Sequence, residues 1–334
     1  MRNPNKTNVL VNAVSAKDGG ARTIVEGLVT AADHYHQYEF IILAGFRADR
    51  QYAANIVWVY LPKSGLRAVL FNLLGVAFYF YWHRCHALLS LNNMNCVLVP
   101  TDRRTTYFHQ PKALDFAFSD VKARIIRTYL MHTRDRVVVQ SPQVHADFVA
   151  LFGQRHEVQI AWPGFTTPAR VDAHARNTHE VLVPVAGFES PHKNFAFVHD
   201  VAETLGSDWR VVVTARDSAG FEGVAENICF IGPQTREDLF CLYHKATVVL
   251  MPSTHETIGL PIFEALSVGT PVVAYDAPYI RLFQETFGIT SGLGIAASAA
   301  EAKDWTTMFS NGDKQITHAT DFRQGDWKEV FDAL

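Results

Sequence analysis

The residues best suited to chemistry lie in one block, 252–273, whose heart reads E-T-I-G-L-P-I-F-E-A-L from Glu256 to Leu266. The block follows a strand ending at Met251, turns through Gly259 and Pro261, opens a helix near Ile262 and returns to a strand at Pro271. This path sets Glu256 and Glu264 at the open edge of a sheet, and open α/β sheets bind ligands outside the carboxyl ends of their strands. One carboxylate accepts hydrogen bonds from two adjacent hydroxyls, so two carboxylates at this separation suit a sugar and a ribose. Backbone N–H groups between Gly259 and Ile262, at the start of the helix, can receive phosphate oxygens. Ile258, Gly259, Leu260 and Pro261 are therefore ligand contacts alongside the two glutamates.

Three smaller pieces surround that block. Residues 187–195, G-F-E-S-P-H-K-N-F, come directly after a strand, so Lys193 opens a helix where its point charge can neutralise a diphosphate leaving group. A lysine near a helix start is by itself ordinary surface, and its meaning here comes from the paired glutamates. The loop from Ser15 to Thr23 holds Gly19 and Gly20, which let a backbone approach a ligand closely ahead of a helix beginning near Ala21. A plain turn also uses glycine, and of the two Gly20 is the preferred contact, with Arg22 behind it. His109 ends a strand and Pro111 stops any helix, so the imidazole should project from the strand end; a satisfied structural histidine is the alternative. Asp102, Arg103 and Arg104, just before it, are read as solvent-exposed.

The elements that position these groups alternate between short apolar runs and helical patterns, the mark of βαβ units on parallel sheets. Strands are expected at 8–14, 40–44, 56–60, 87–91, 97–99, 106–109 and 136–140, then at 181–186, 210–214, 228–231, 247–251 and 271–274. The Pro- and Gly-bearing stretch 162–168 separates the two series. The domains are accordingly 1–165 and 166–320, two Rossmann-like sheets facing a central cleft, with 321–334 as a helix packing back on the first. A chain of 334 residues suits two domains, since single cores stop growing below that size.

Composition narrows the class further. Hydrophobic residues at 48% and charged residues at 19% describe a packed globular protein. Residues 1–165 hold 18 Lys and Arg against 11 Asp and Glu, a balance of +7, and residues 166–334 hold 12 against 22, a balance of −10, which together recover the formal −3. A basic first half can attract an anionic surface or acceptor, but no dense basic run interleaved with aromatics argues for nucleic acid. Four cysteines without a C-x-x-C pair read as thiols, and the W-H-R-C-H segment at 82–86 lacks partners at metal-binding spacing. The polar N-terminus has no apolar signal-peptide core, so a cytoplasmic location is expected. Segment 66–82 is just short of a bilayer span and carries Arg67 and Asn72. It is taken as a buried helix of the first domain; the functional alternative is an interfacial helix touching an anionic membrane at its inner face.

With those residues in view, the chain resembles the retaining GT-B glycosyltransferases of the family 4 type, and among them the enzymes of bacterial surface-polysaccharide assembly. The E-x7-E signature stands here as Glu256 and Glu264, with the enclosed Gly-Leu-Pro and the following Gly-Thr-Pro-Val-Val. The resemblance implies a GT-B fold and a transfer that retains anomeric configuration without metal or other cofactor, there being no D-x-D segment. It implies a nucleotide-diphosphate sugar as donor and a glycan or polyprenyl-diphosphate-linked oligosaccharide as acceptor. It makes His109, Lys193 and Glu256 catalytic, with Glu256 on the sugar and Glu264 on the ribose, and Gly19 and Gly20 covering the donor. Phe188 departs from the pattern, since many members carry arginine there. A nucleotide-sugar epimerase or phosphorylase on the same architecture, or a silent sugar-nucleotide-binding scaffold, are the alternatives.

Overall fold

In the computed structural model the chain divides into two compact units, Met1–Thr166 with Gln324–Leu334, and Thr167–Arg323. The structure describes every residue except 1–5, 18, 49–50, 115–120, 169–176, 313–315 and 317–320.

The first unit is built on seven strands: β1 (Thr7–Ala13), β2 (Tyr38–Ala44), β3 (Ile56–Tyr60), β4 (Ala87–Ser90), β5 (Arg104–Tyr107), β6 (Arg136–Val139) and β7 (Glu157–Ile160). All pairs are parallel, in the order β3-β2-β1-β4-β5-β6-β7. Strands β1, β2 and β4 are mostly apolar on both faces, as a sheet covered by helices on each side favours, while β5 (R-T-T-Y) is buried though polar. Val9 and Val11 enter one core with the helix Gly19–Ala32, while Leu10 points the other way into a core with Val76 and Phe80. The short helix Trp327–Asp332 closes the first of these cores. Trp327 stacks on Tyr107 with ring centroids 5.3 Å apart, and its Nε1 donates to the Pro163 carbonyl at 2.8 Å.

The second unit holds β8 (Glu180–Val183), β9 (Arg210–Val213), β10 (Ile228–Phe230), β11 (Val248–Met251), β12 (Val272–Tyr275) and β13 (Leu293–Ala296). These too are all parallel, in the order β10-β9-β8-β11-β12-β13. The four cysteines are free thiols.

Several expectations change. Residues 97–99 form a turn, not a strand; Val97 and Leu98 are exposed, and the Val97 N–H donates to Leu73 O of a helix instead of a sheet neighbour. Strands β7 and β13 were not foreseen, because E-V-Q-I is short and half polar and L-G-I-A is interrupted by glycine. Arg104, read as solvent-exposed, is buried: its Nε donates to Asp135 Oδ1 at 2.7 Å, and its guanidinium also meets the Cys96 and Val99 carbonyls. Segment 66–82 is not a buried helix. The 18-residue helix Gly65–Trp82 is long and apolar enough to cross a membrane by length and composition. It buries only one face, through Ala68, Asn72, Val76, Ala77 and Phe80.

Candidate functional site

In the second unit the chain runs outward from β8 through β9 to β10, then returns to the other side of β8 as β11. The loops leaving β8 and β11 therefore diverge, and their carboxyl ends open the crevice that such a reversal creates. Lys193 lies on the first loop and Glu256 on the second.

Their meeting follows from local structure. After β8, Pro191–Lys193 make a single 3-10 turn, and Asn194 takes a left-handed conformation (φ 53°) before the helix Phe195–Leu205. Lys193 thus stands on the turn ahead of the helix, not at its first residue. Asn194 Nδ2 donates to Pro252 O at 3.2 Å and the Thr254 N–H donates to His192 O at 2.9 Å, which locks the two loops together. The result is an ion pair, Lys193 Nζ to Glu256 Oε1, at 2.5 Å, with both side chains still partly open to solvent. Below it the Tyr279 hydroxyl donates to Ser253 O at 2.9 Å, and burial together with the Glu256 charge pushes the Tyr279 pKa well above 10.0. The Ser253 hydroxyl is buried and has no partner among the described residues, a group that a ligand or water at this strand end would satisfy.

Glu264 has a different setting. It lies on the helix Leu260–Ser267, which Gly259 caps in the left-handed region (φ 60°). A side chain at Gly259 would be strained there, and its Cβ would stand 3.1 Å from Ile262 Cδ1. The Ile262 N–H closes this turn onto Gly259 O at 2.9 Å and Pro261 has no N–H, so the amides of Gly259 and Leu260 are the two from this set that an anion could meet. Glu264 itself is 3% exposed. Its Oε1 pairs with Arg236 at 2.9 Å and its Oε2 accepts from the Tyr243 hydroxyl at 3.0 Å. Burial, then the Glu264 charge, raise the Tyr243 pKa well above 10.0. Arg236 and Tyr243 were missed from sequence, although the signal existed: Thr235 caps their helix by accepting from the Asp238 N–H, and seven residues place the two side chains on one face.

Phe188 is a core residue, packed edge-on against Phe195 at 4.8 Å. A Cβ at Gly187 beside it would lie 2.3 Å from Glu189 Oε2, the mobile end of an exposed side chain that can swing aside.

The first sheet has its own reversal, between β1 and β4. The glycine loop leaves β1 there, and the helix begins at Gly19, two residues earlier than expected. Gly19 and not Gly20 adopts the left-handed conformation, with φ 56°. Arg22 is engaged with Glu26 at 2.7 Å and lies over the Phe46 ring. Strand β5 ends at Tyr107, and His109 turns back toward the loop after β4: its N–H donates to Asn93 Oδ1 at 2.6 Å and its Nε2 lies 2.9 Å from Leu91 O. Nε2 also lies 3.3 Å from Asn93 Nδ2, and desolvation lowers the imidazole pKa from 6.5. The structure thus brings Lys193 and Glu256 into contact and gives Glu264 separate partners, while Gly19, Gly20 and His109 belong to the other unit.

Residues 170–297, most of the second unit, match the family described as glycosyl transferases group 1. D-inositol 3-phosphate glycosyltransferase of Corynebacterium efficiens is 29% identical over 180 residues, 45% of this chain and 42% of that protein. The chain thus spans less than half the length of this relative. Among solved structures, WaaG, a glycosyltransferase involved in lipopolysaccharide biosynthesis, aligns over 97% of this chain and 98% of its own with a TM-score of 0.65 at 12% identity. Anabaena Alr3699/HepE in complex with UDP and glucose aligns over 98% and 100% with a TM-score of 0.62 at 14% identity. These likenesses establish the fold: two Rossmann-like α/β domains with parallel sheets, as in GT-B glycosyltransferases.

Proposed function

We propose, from the glycosyl transferases group 1 match, that the chain is a hexosyltransferase that takes its sugar from a nucleoside diphosphate donor. The observation that carries this is the Lys193–Glu256 pair at the carboxyl ends of β8 and β11, where the second sheet reverses. A cation for the diphosphate and a carboxylate for sugar hydroxyls stand side by side, as bond cleavage between those two groups requires.

When donor binds, the diphosphate competes for the Lys193 ammonium, and Glu256 exchanges that cation for hydroxyls of the sugar. The amides of Gly259 and Leu260 add hydrogen bonds to the phosphate oxygens, with Ile258 and Pro261 holding the turn. Glu264 serves the ribose: each of its oxygens keeps a second lone pair beside its bond to Arg236 or Tyr243, so a ribose hydroxyl need not displace either. In the transfer the bond from the anomeric carbon to the diphosphate oxygen breaks, and an acceptor hydroxyl bonds to that carbon from the same face. The hydroxyl proton passes to the departing phosphate oxygen. Retention without a metal then needs no covalent nucleophile, only stabilisation of the leaving group by Lys193 and the amides. Gly19, Gly20 and His109, at the reversal of the first sheet, are that unit's candidates for ligand contact. The acceptor is a glycan or a polyprenyl-diphosphate-linked oligosaccharide of surface-polysaccharide assembly, and the chain works in the cytoplasm; the involvement of WaaG in lipopolysaccharide biosynthesis supports this reading.

The test is a thermal-shift and turnover panel of UDP, GDP and ADP sugars. One class should stabilise the second unit and release its nucleotide with acceptor. Glu256→Gln should cut turnover at least about a hundredfold while free nucleotide still binds, and Lys193→Ala should lose about 10²–10³ in turnover. Unchanged rates in either variant remove that residue from the reaction.

A further inference from the structure

The helix Gly65–Trp82 presents an apolar stripe that the first unit does not cover. Leu66, Leu70, Leu74, Phe78 and Trp82 recur at four-residue spacing and are 68%, 53%, 47%, 63% and 67% exposed. In an α-helix such spacing drifts by about 40° per step, enough to wind the stripe around into the core. The drift is checked by a π turn at Phe71–Gly75, whose i→i+5 bonding puts more residues in each turn and holds the five side chains on one side. That turn is fastened from beneath, where Asn72 Oδ1 accepts from Asn12 Nδ2 at 3.0 Å and from Asn92 Nδ2 at 3.3 Å. Tyr81, Val97, Leu98 and Val121 extend the exposed apolar surface. Tyr81 donates to Leu98 O at 2.9 Å, so the turn at 97–98 is fixed to the helix. Between this turn and the helix Val121–His132 lies an open groove of about 610 Å³, with Leu73, Val97, Val121 and Ile125 beside Arg124 and His132.

Two segments that carry this surface hold only positive charge. From Gln51 to Thr101 the sequence contains no Asp or Glu, and Arg67 and Arg84 are exposed within that stretch. From Val121 to Arg134 there is again no acid, and Arg124 and Arg134 are exposed. A two-fold contact with a second copy would set these arginines against their own kind. A bilayer with anionic headgroups answers both features: acyl chains take the leucine and aromatic stripe, phosphates take the arginines, and Trp82 and Tyr81 sit where ring and polar edge both find partners.

We propose that this face of the first unit docks on an anionic lipid bilayer, with the helix Gly65–Trp82 lying in the plane of the headgroups. The buried face of the helix belongs to the core of its own unit, so the helix rests on the membrane and does not cross it. This docking stands on the exposed surface alone and does not depend on the transferase reading.

The experiment is co-sedimentation of the full chain, without donor or acceptor, with vesicles of phosphatidylcholine alone or mixed equally with phosphatidylglycerol. Binding to the mixed vesicles at low salt, weakened by added salt, is the expected result. Leu70→Glu combined with Phe78→Glu should reduce the bound fraction at least about tenfold, and Arg67→Glu with Arg124→Glu should abolish the preference for phosphatidylglycerol. All four positions are exposed, and an unchanged circular dichroism spectrum and thermal unfolding midpoint show that a variant remains folded. No binding to mixed vesicles at low salt overturns the proposal, as does wild-type binding by the apolar double variant. A lipid-free dimer that the same variant converts to monomer also overturns it, in favour of a second copy as the occupant.

Discussion

At the scale of single residues, the site is a set of charges that already have partners. Lys193 and Glu256 neutralise each other at 2.5 Å while partly solvated, so either can be given up to a ligand at little cost. Glu264 is bound more tightly to its surroundings: it is buried, and Arg236 supplies its counter-charge at 2.9 Å. Arg236→Ala should therefore destabilise the second unit by about 2–3 kcal/mol, somewhat under the cost for a fully buried pair because Arg236 keeps some solvent contact. Urea unfolding checks this, and adding Glu264→Gln should recover part of the loss by removing the orphaned charge. His109 gives a pH dependence. Desolvation holds its folded pKa below the ordinary 6.5, so as pH falls through that value the unfolded chain binds a proton that the folded chain refuses. Its stability contribution is complete above 6.5 and is lost below. The difference in urea midpoint between wild type and His109→Asn should accordingly be larger, in favour of wild type, at about pH 7.5 than at about pH 5.5. Glu256, Glu264 and Lys193 were legible as residues because their types and spacing limit what they can do. The partners Arg236 and Tyr243 were missed although their capped helix was readable, because spacing sets two side chains on one face without saying what that face meets; Arg104 was misread because nothing in a linear reading tells a buried arginine from an exposed one.

Among the elements, the turn into the helix Leu260–Ser267 is the most constrained. Gly259 combines a left-handed backbone with a crowded Cβ direction. Gly259→Ala should cost the second unit about 1–2 kcal/mol and weaken binding of the preferred nucleotide sugar about tenfold by turning its amides aside. Titration calorimetry would measure the second effect, and wild-type affinity would show that the turn does not hold the phosphates. Most strands were legible, because a strand buried on both faces is usually apolar, although β5 (R-T-T-Y) is buried with polar side chains. Strands β7 and β13 were hidden by polar residues and a glycine that sheet edges tolerate. The predicted strand at 97–99 failed for the opposite reason: V-L-V is as suitable for an exposed turn on an apolar surface as for a sheet, and only the neighbouring helix decides between them.

At the scale of the whole molecule, the chain finishes in the unit where it began. Trp327 seals the core of the first unit, stacked on Tyr107 and bonded to Pro163 O, and the Asp326 carboxylate accepts from the Trp162 N–H at 2.9 Å. Trp327→Ala should therefore cost about 3–5 kcal/mol, seen by hydrogen exchange in the strands of the first unit, with the second unit unchanged; equal loss in both units would contradict this assignment. The sequence by itself determined the two parallel α/β sheets and the chemistry offered at the ends of the second, because alternating apolar periods and a glutamate-glycine-proline-glutamate spacing are local properties. Tertiary structure alone decided that Lys193 meets Glu256 across a sequence separation of 63, that Glu264 is locked to Arg236, and that the helix Gly65–Trp82 keeps an apolar face in solvent. Each of these depends on which strands become neighbours, and hydrogen bonding between distant strands leaves no mark on the residues beside them in sequence.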